Sequence, residues 1–422
     1  MRQKGPIGWL KHDVTHRGIT AWMIFILMAL FYLFLYVPDK LGTLGSYFGD
    51  EASWAAMGQK LNIFSHMMSA LGQKLRPALG LADGSIEWVL FGGWTIKPKA
   101  LGDALFSKWT LYGTLYTAAI TIGGVLVIRK YKHNRYQIVR TLAIMITQIT
   151  LAFSVPLLLS ASGTYGYYMS YFWPLKIENI YPNSLQGMPI FFALYGVLGA
   201  FLLVPLLGIF FGKRWYCSWI CGCGGLANTF GDPWRQLSNK SNKAWRFEKV
   251  SIHTGLIIAV FTTALVGVKA IIGQKYPEFG AFATFVEFMY GLVFTAFLSA
   301  AVGTALYPLG GTRVWCRFFC PMAAMLGLVQ KFGRYRITVK KNMCISCGLC
   351  SKYCEMGIDV RAYAQRNQTF VRASCVGCGL CAEVCPRGVL NLENRKDEDP
   401  QELTMDHLLS HSYTNEPERK AV

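Results

Sequence analysis

The chain has 422 residues, of which 53% are hydrophobic and 15% charged, against about 25% charged in an average soluble domain. That composition excludes an ordinary soluble enzyme and points to a membrane protein. The formal net charge of +19 would suggest a nucleic-acid partner in a soluble chain, but here the Lys and Arg fall mostly between apolar segments. A positive-inside topology accounts for them, and no nucleic acid is expected.

Crossing a bilayer takes about 20 apolar residues, and six stretches are predicted to do so: Ile19 to Val37, Trp109 to Ile128, Tyr136 to Leu159, Pro189 to Phe211, Val250 to Ile272 and Val286 to Tyr307. Arg2, Lys4, Lys11 and Arg17 precede the first, and no small-residue cleavage site follows it, so it reads as an uncleaved anchor. Lys and Arg number four in residues 1–18, four in 129–135, seven in 212–249 and seven in 308–343, while the loops 160–188 and 273–285 carry only Lys176 and Lys275. The ratio of 22 to 2 predicts that both termini and the second and fourth loops are cytoplasmic, in a bacterial inner membrane. The loop from Pro38 to Lys108 carries seven Lys and Arg on the opposite side, but it is longer than the loops the rule governs.

That long loop holds a helical stripe, Leu61, Phe64, Met68, Leu71 and Leu75, suited to packing on the bundle or lying on the membrane surface. The aromatic run Tyr165, Tyr167, Tyr168, Tyr171, Phe172 and Trp173 fits an interfacial belt or a binding site. Arg140, inside the third stretch, is expected to snorkel to the interface, with a quinone oxygen or lipid headgroup as the alternative partner. From Asn394 onward the chain turns polar and is expected to be disordered.

One internal repeat stands out. Arg214-Trp-Tyr-Cys217-Ser-Trp-Ile-Cys221 returns 99 residues later as Arg313-Val-Trp-Cys316-Arg-Phe-Phe-Cys320, each time just after a predicted helix reaches the cytoplasmic side. A duplicated hairpin would place the four thiols at one membrane face. Residues four apart share a helix face, so Cys217, Cys221, Cys316 and Cys320 are candidate ligands of a third iron-sulfur cluster or a Cu(I) ion, with buried structural thiols as the bland alternative.

The strongest pattern is Cys344-x2-Cys347-x2-Cys350-x3-Cys354 followed by Cys375-x2-Cys378-x2-Cys381-x3-Cys385-Pro386. In such runs three thiolates wrap one 4Fe-4S cubane and the fourth reaches the other cluster. Cluster 1 is therefore assigned Cys344, Cys347, Cys350 and Cys385, and cluster 2 Cys354, Cys375, Cys378 and Cys381. Zinc sites pair two C-x2-C units rather than presenting triplets, and disulfides would be strained at this spacing. Glu355 stands where Pro usually follows the last cysteine, which touches only the local turn.

The two C-x3-C units, with Pro321 after the second, and the two ferredoxin runs resemble the NapH/NosR group of membrane polyferredoxins and, more distantly, the CcoG group. The likeness spans about Lys213 to Leu392. Two features depart from it: Cys221-Gly222-Cys223 replaces the usual Cys-Pro, and no separate flavin-binding domain is present, so covalent FMN is not expected. The resemblance implies electron transfer between the quinone pool and a partner redox enzyme of an anaerobic respiratory chain, the partner being a reductase, a cytochrome or another iron-sulfur protein. Copper handling of the CcoG kind, or an adaptor without a quinone site, are the competing readings. Haem is not expected: C-x-x-C-H does not occur, and only His253 lies in a predicted helix.

The expected architecture is an α-helical membrane protein with a C-terminal two-cluster ferredoxin-like domain. Its parts are a membrane domain at 1–307 with a cytoplasmic C-x3-C loop at 212–249, a second C-x3-C segment and linker at 308–340, a double 4Fe-4S domain at 341–393 and a polar tail at 394–422.

Overall fold

The computed structural model describes residues 17–79, 81, 88–90, 94–96, 98–162, 166–181, 185, 189–212 and 214–394. The basic N-terminal residues Arg2, Lys4 and Lys11, Tyr165 of the aromatic run, and the polar tail beyond Asn394 lie outside these.

Among the described residues six helices are long and apolar enough to cross a membrane: α1 (Ile19–Tyr36), α2 (Lys108–Lys130), α3 (Arg135–Ala161), α4 (Ile190–Phe211), α7 (Asn242–Ile272) and α8 (Pro277–Ala305). At about 1.5 Å per residue even the shortest nearly matches a hydrocarbon core of about 30 Å. Ser107, Asn134 and Ser241 start α2, α3 and α7 by accepting the N–H three residues on. The sequence placed the start of α7 eight residues later, because hydropathy sees only the apolar part; capped at Ser241, the helix keeps its polar first two turns. α3 and α4 each pass through a wide π turn ahead of Pro156 and Pro205. A proline without an N–H frees a carbonyl, and the wide turn reaches past it.

Of the stripe in the long loop, Phe64, Met68, Leu71 and Leu75 lie on the helix Ile63–Ala78, while Leu61 ends the preceding helix Glu51–Leu61. Met68 is buried and Phe64 meets Phe31 of α1 at a ring distance of 5.3 Å, while Leu71 and Leu75 remain exposed.

The two C-x3-C segments are not surface loops. α5 (Trp215–Trp219) enters, the chain breaks at Ile220-Cys221, and α6 (Gly222–Asn228) returns. α9 (Val314–Phe318) and α10 (Pro321–Val329) repeat the move. Leu226 and Ala227 pack on Ile120 and Ile144, residues near the middles of α2 and α3. The expectation of thiols at a membrane face therefore gives way to thiols inside the helical bundle. Small residues permit the approach: a Cβ on Gly224 would stand 1.8 Å from the Cys217 carbonyl oxygen, and one on Gly225 would stand 2.7 Å from Ile144.

After α10, β1 (Tyr335–Val339) pairs antiparallel with β2 (Leu390–Asn394), with Ile337 opposite Leu392. This ribbon closes a small module whose other turns carry the two cysteine runs.

Candidate metal centres

Within the module, Cys344, Cys347, Cys350 and Cys385 line one hollow, together with Gly348, Arg361, Pro386 and Val389. Cys354 lies within electrostatic range of Cys375 and Cys378 rather than of its own run. The first crossed set read from the spacing thus lines one hollow, and of the second Cys354 lies near Cys375 and Cys378, while Cys381 is buried on the short helix that follows. Gly348 and Gly379 hold φ of +75° and +71° directly before the short helices that carry Cys350 and Cys381, a turn that disfavours any side chain. Ile358 and Val389 each aim a backbone N–H at the Sγ of the cysteine four residues earlier, Cys354 and Cys385, at 3.4 Å. Such N–H···S contacts stabilise cluster thiolates. Burial pushes the free thiols up, to about 11 at Cys350 and about 12 at Cys354, so loading a metal releases protons here.

In the bundle, Cys217, Cys221, Cys316 and Cys320 are all at most 4% exposed and lie within electrostatic range of one another. The two repeats interlock. Arg214 donates to the Cys316 carbonyl at 3.0 Å, and Arg313 donates to the Cys217 carbonyl at 3.3 Å, so each repeat's arginine clasps the other repeat's cysteine. Burial raises the thiols of Cys217 and Cys316, and the guanidiniums of Arg214 and Arg313 oppose that rise. Arg214 is 2% exposed and its Nε finds no hydrogen-bond acceptor among the described residues. A buried cation in that state calls for a neighbouring anion, and four thiolates holding a metal at Cys217, Cys221, Cys316 and Cys320 would provide one. Cys223 hydrogen-bonds the Cys221 thiol, so it belongs to the surroundings of this centre although the second repeat lacks it.

Polar links fasten the Cys354 and Cys375–Cys381 loops to the bundle, among them the Arg214 backbone N–H donating to the Cys375 carbonyl at 3.3 Å. Gln137 donates to the Cys378 carbonyl at 2.6 Å and also accepts from Arg140, which donates to Ser218. Tyr136 donates to the Gly377 carbonyl at 2.7 Å. Glu248 accepts from Arg317 at 2.7 Å and from Ser374, beside Cys375. Glu355 pairs with Arg313 at 3.1 Å and Arg235 at 2.9 Å. Burial works against the Glu355 carboxylate, but Arg235, Arg313 and Arg140 outweigh it and hold its pKa below the usual range. Arg140 therefore does not snorkel: it is 1% exposed and bridges the first hairpin to the module. Sequence reasoning missed these links, although Arg214 and Arg313 stood at equal positions in the repeat.

Residues 337–392 match the family model of the 4Fe-4S dicluster domain, and residues 187–245 and 292–340 match that of the 4Fe-4S binding domain. These matches fit a membrane polyferredoxin of the NapH/NosR type.

The chain is 27% identical over 176 residues to the methylamine utilization ferredoxin-type protein MauN of Paracoccus denitrificans, covering 41% of this chain and 58% of MauN. It is 26% identical to YccM of Escherichia coli strain K12, named as a candidate electron transport protein, covering 39% of this chain and 46% of YccM. It is 20% identical to the regulatory protein NosR of Stutzerimonas stutzeri, covering 40% of this chain and 22% of NosR. The chain thus spans about half the length of the first two relatives. No solved structure matches it. The chain is an α-helical membrane protein with C-terminal 4Fe-4S ferredoxin domains.

Proposed function

We propose that this polyferredoxin passes electrons between the quinone pool and a partner redox enzyme of a respiratory chain. In this reading Cys344, Cys347, Cys350 and Cys385 hold one 4Fe-4S cluster, Cys354, Cys375, Cys378 and Cys381 hold a second, and Cys217, Cys221, Cys316 and Cys320 hold a third. Bound there, the clusters supply one-electron chemistry, which the two-electron oxidation of a quinol needs. The charge bias of the loops supports a cytoplasmic module on a bacterial inner membrane.

The observation that carries the quinone reading is a cavity of about 360 Å³ bounded by Tyr136, Ala143 and Thr147 of α3, Phe211 and Gly212 at the end of α4, Trp215, Trp219 and Ile220 of the first hairpin, Tyr335, Val376 and Gly377. Its size suits a small organic ring. Three properties recommend it. Ile220 adjoins Cys221, and Val376 and Gly377 lie between Cys375 and Cys378, so the space touches the backbone of two cysteine sets. Val139, Leu142 and Ile146 of α3 and Phe210 of α4 are exposed beside it, which gives a lipid-soluble ligand a route in. Five aromatic residues, Tyr136, Phe211, Trp215, Trp219 and Tyr335, line it, with the phenols of Tyr136 and Tyr335 and a Thr147 hydroxyl as polar handles.

The residues have separable roles. Trp215 and Trp219 stack on the ring, Tyr136 holds the cysteine loop against the cavity through Gly377, and the packed bundle keeps water from the thiols. The test is Ala143→Trp, which fills the cavity from a helix face that makes no cluster ligand. Quinol-driven bleaching of the iron-sulfur absorbance in membranes is expected to slow at least about tenfold, with iron content and dithionite reduction unchanged. Wild-type rates in the variant would overturn the site, and no quinol reduction in the wild type would overturn the function.

A further inference from the structure

The ferredoxin module shows two different faces. The Cys354 and Cys375–Cys381 side is fastened to the bundle by the links through Gln137, Tyr136, Glu248 and Glu355. The Cys344–Cys350 side is open: Cys347 is the single exposed cysteine among the described residues, and Ile345 beside it is 53% exposed.

Charge divides the same way. Residues 337–392 contain seven Lys and Arg against three Asp and Glu, and all three acids are engaged. Glu355 is buried between Arg235 and Arg313, Glu383 accepts from Asn134 at 2.6 Å, and Asp359 accepts from Ser351 at 2.6 Å. The cations Lys340, Lys341, Lys352, Arg361 and Arg387 are exposed. Arg361 and Arg387 line the same hollow as Cys347, and Lys340 bonds to Val389, which lines it too. An exposed thiol and an apolar contact point, with Arg361 and Arg387 lining the same hollow and exposed lysines close in sequence, match the anatomy of a transient electron-transfer docking site: a small apolar centre and a charged rim that steers encounter.

We propose that this basic face docks a soluble one-electron carrier protein whose own docking face is acidic. Resting on the electron-transfer reading above, one electron crosses per encounter, and the carrier gains the electron that this chain loses or the reverse. An interface governed by rim charge is weak and quickly released, which suits turnover by a carrier that must leave after each electron.

The experiment uses the full-length, cluster-loaded protein in nanodiscs of neutral phosphatidylcholine, with an acidic plant-type 2Fe-2S ferredoxin as the probe and surface plasmon resonance as the readout. Binding is expected to weaken at least about tenfold between roughly 20 and 200 mM salt, and by a similar factor in Arg361→Glu/Arg387→Glu. Lys340→Glu/Lys341→Glu should weaken it as well, and this pair decides the question should the first variant lose iron. Lys60→Glu/Lys74→Glu, with the same change in net charge on helices of the long loop, should bind like the wild type. The proposal is overturned if the basic protein cytochrome c binds equally well, if the Lys60/Lys74 variant is impaired as much, or if added vesicles of anionic phosphatidylserine bind this face while the ferredoxin does not. Because binding is measured without quinol, failure of the quinone reading leaves this result standing.

Discussion

Arg313 donates to a Glu355 carboxylate oxygen 3.1 Å away, joining the residue three before Cys316 to the residue one after Cys354. Arg235 lies against the other oxygen at 2.9 Å and continues through Asp232 to Lys130 at the end of α2. A position that in the sequence is only a missing proline is the point at which the module is locked to both the first hairpin's return and the second hairpin.

Glu355→Gln is therefore expected to cost about 3–5 kcal/mol, because removing one member of a buried ion pair strands the others. Thermal unfolding in detergent measures it. The same change removes a negative charge beside Cys354, so the potential of the cluster assigned to Cys354, Cys375, Cys378 and Cys381 should move positive in an EPR-monitored titration. Glu355→Pro, which restores the common turn, should shift the potential in the same direction; an unmoved potential in both would show that the pair is only mechanical.

Metal content tests the assignments separately. Purified without oxygen, the protein should contain about twelve iron atoms, and Cys347→Ser and Cys378→Ser should each remove roughly four. Eight in the wild type would remove the bundle centre, and iron unchanged in both variants, or zinc in its place, would remove the two-run assignment.

The legible parts of this protein are those that local pattern dictates. Hydropathy finds six membrane helices to within a few residues at most ends, and the triplet spacing marks the eight module cysteines, because helix length and cubane geometry act over short stretches. The hairpin burial was not legible. Lys213, Arg214 and Arg235 make residues 212–249 read as a solvated loop, while the partners of Arg214 and Arg235, which are the Cys316 carbonyl, Glu355 and Asp232, are distant in sequence or ordinary in composition. The small-residue run Gly222-Cys223-Gly224-Gly225 was the available signal of close packing. Arg140 was misjudged for the same reason: its partners Gln137 and Ser218 are uncharged, and only the fold brings Ser218 to it.

Lys176, in the loop between α3 and α4, supplies a pH test away from every cysteine. Its ammonium lies 4.0 Å from the centre of the Tyr168 ring. Burial lowers its pKa to about 8, and Glu178 only partly opposes this. The unfolded chain keeps the ordinary lysine value near 10.4. Between those values the unfolded state binds more protons at Lys176 than the folded one, so this residue's contribution to stability, read as the difference between wild type and a variant lacking the amine, should rise with pH from about 8 to about 10.4 and be flat below. Lys176→Met should remove that slope. A melting temperature that falls across the same window in the wild type, with no change in the variant, would contradict the buried ammonium.

The last prediction concerns the four bundle cysteines. Arg214 reaching across to Cys316 and Arg313 reaching across to Cys217 make one structural unit of the two repeats, so their thiols should act as one unit too. Replacing any one of Cys217, Cys221, Cys316 and Cys320 with Ser should cost nearly as much quinol-driven reduction of the module as replacing all four, since a centre lacking one thiolate is lost or badly shifted. Independent packing cysteines would give small losses that add across the two repeats. Cys223 separates ligation from surroundings: its hydrogen bond to Cys221 predicts that Cys223→Ser retains iron but shifts the potential of the bundle centre. Arg214→Met should do the same in a defined direction. It removes a buried cation beside the thiolates, destabilises the reduced and more negative state, and so lowers the potential, whereas Arg214→Lys should recover part of the shift. Mild, additive losses from the cysteine variants together with an Arg214→Met protein of unchanged potential would leave the repeats as structural thiols.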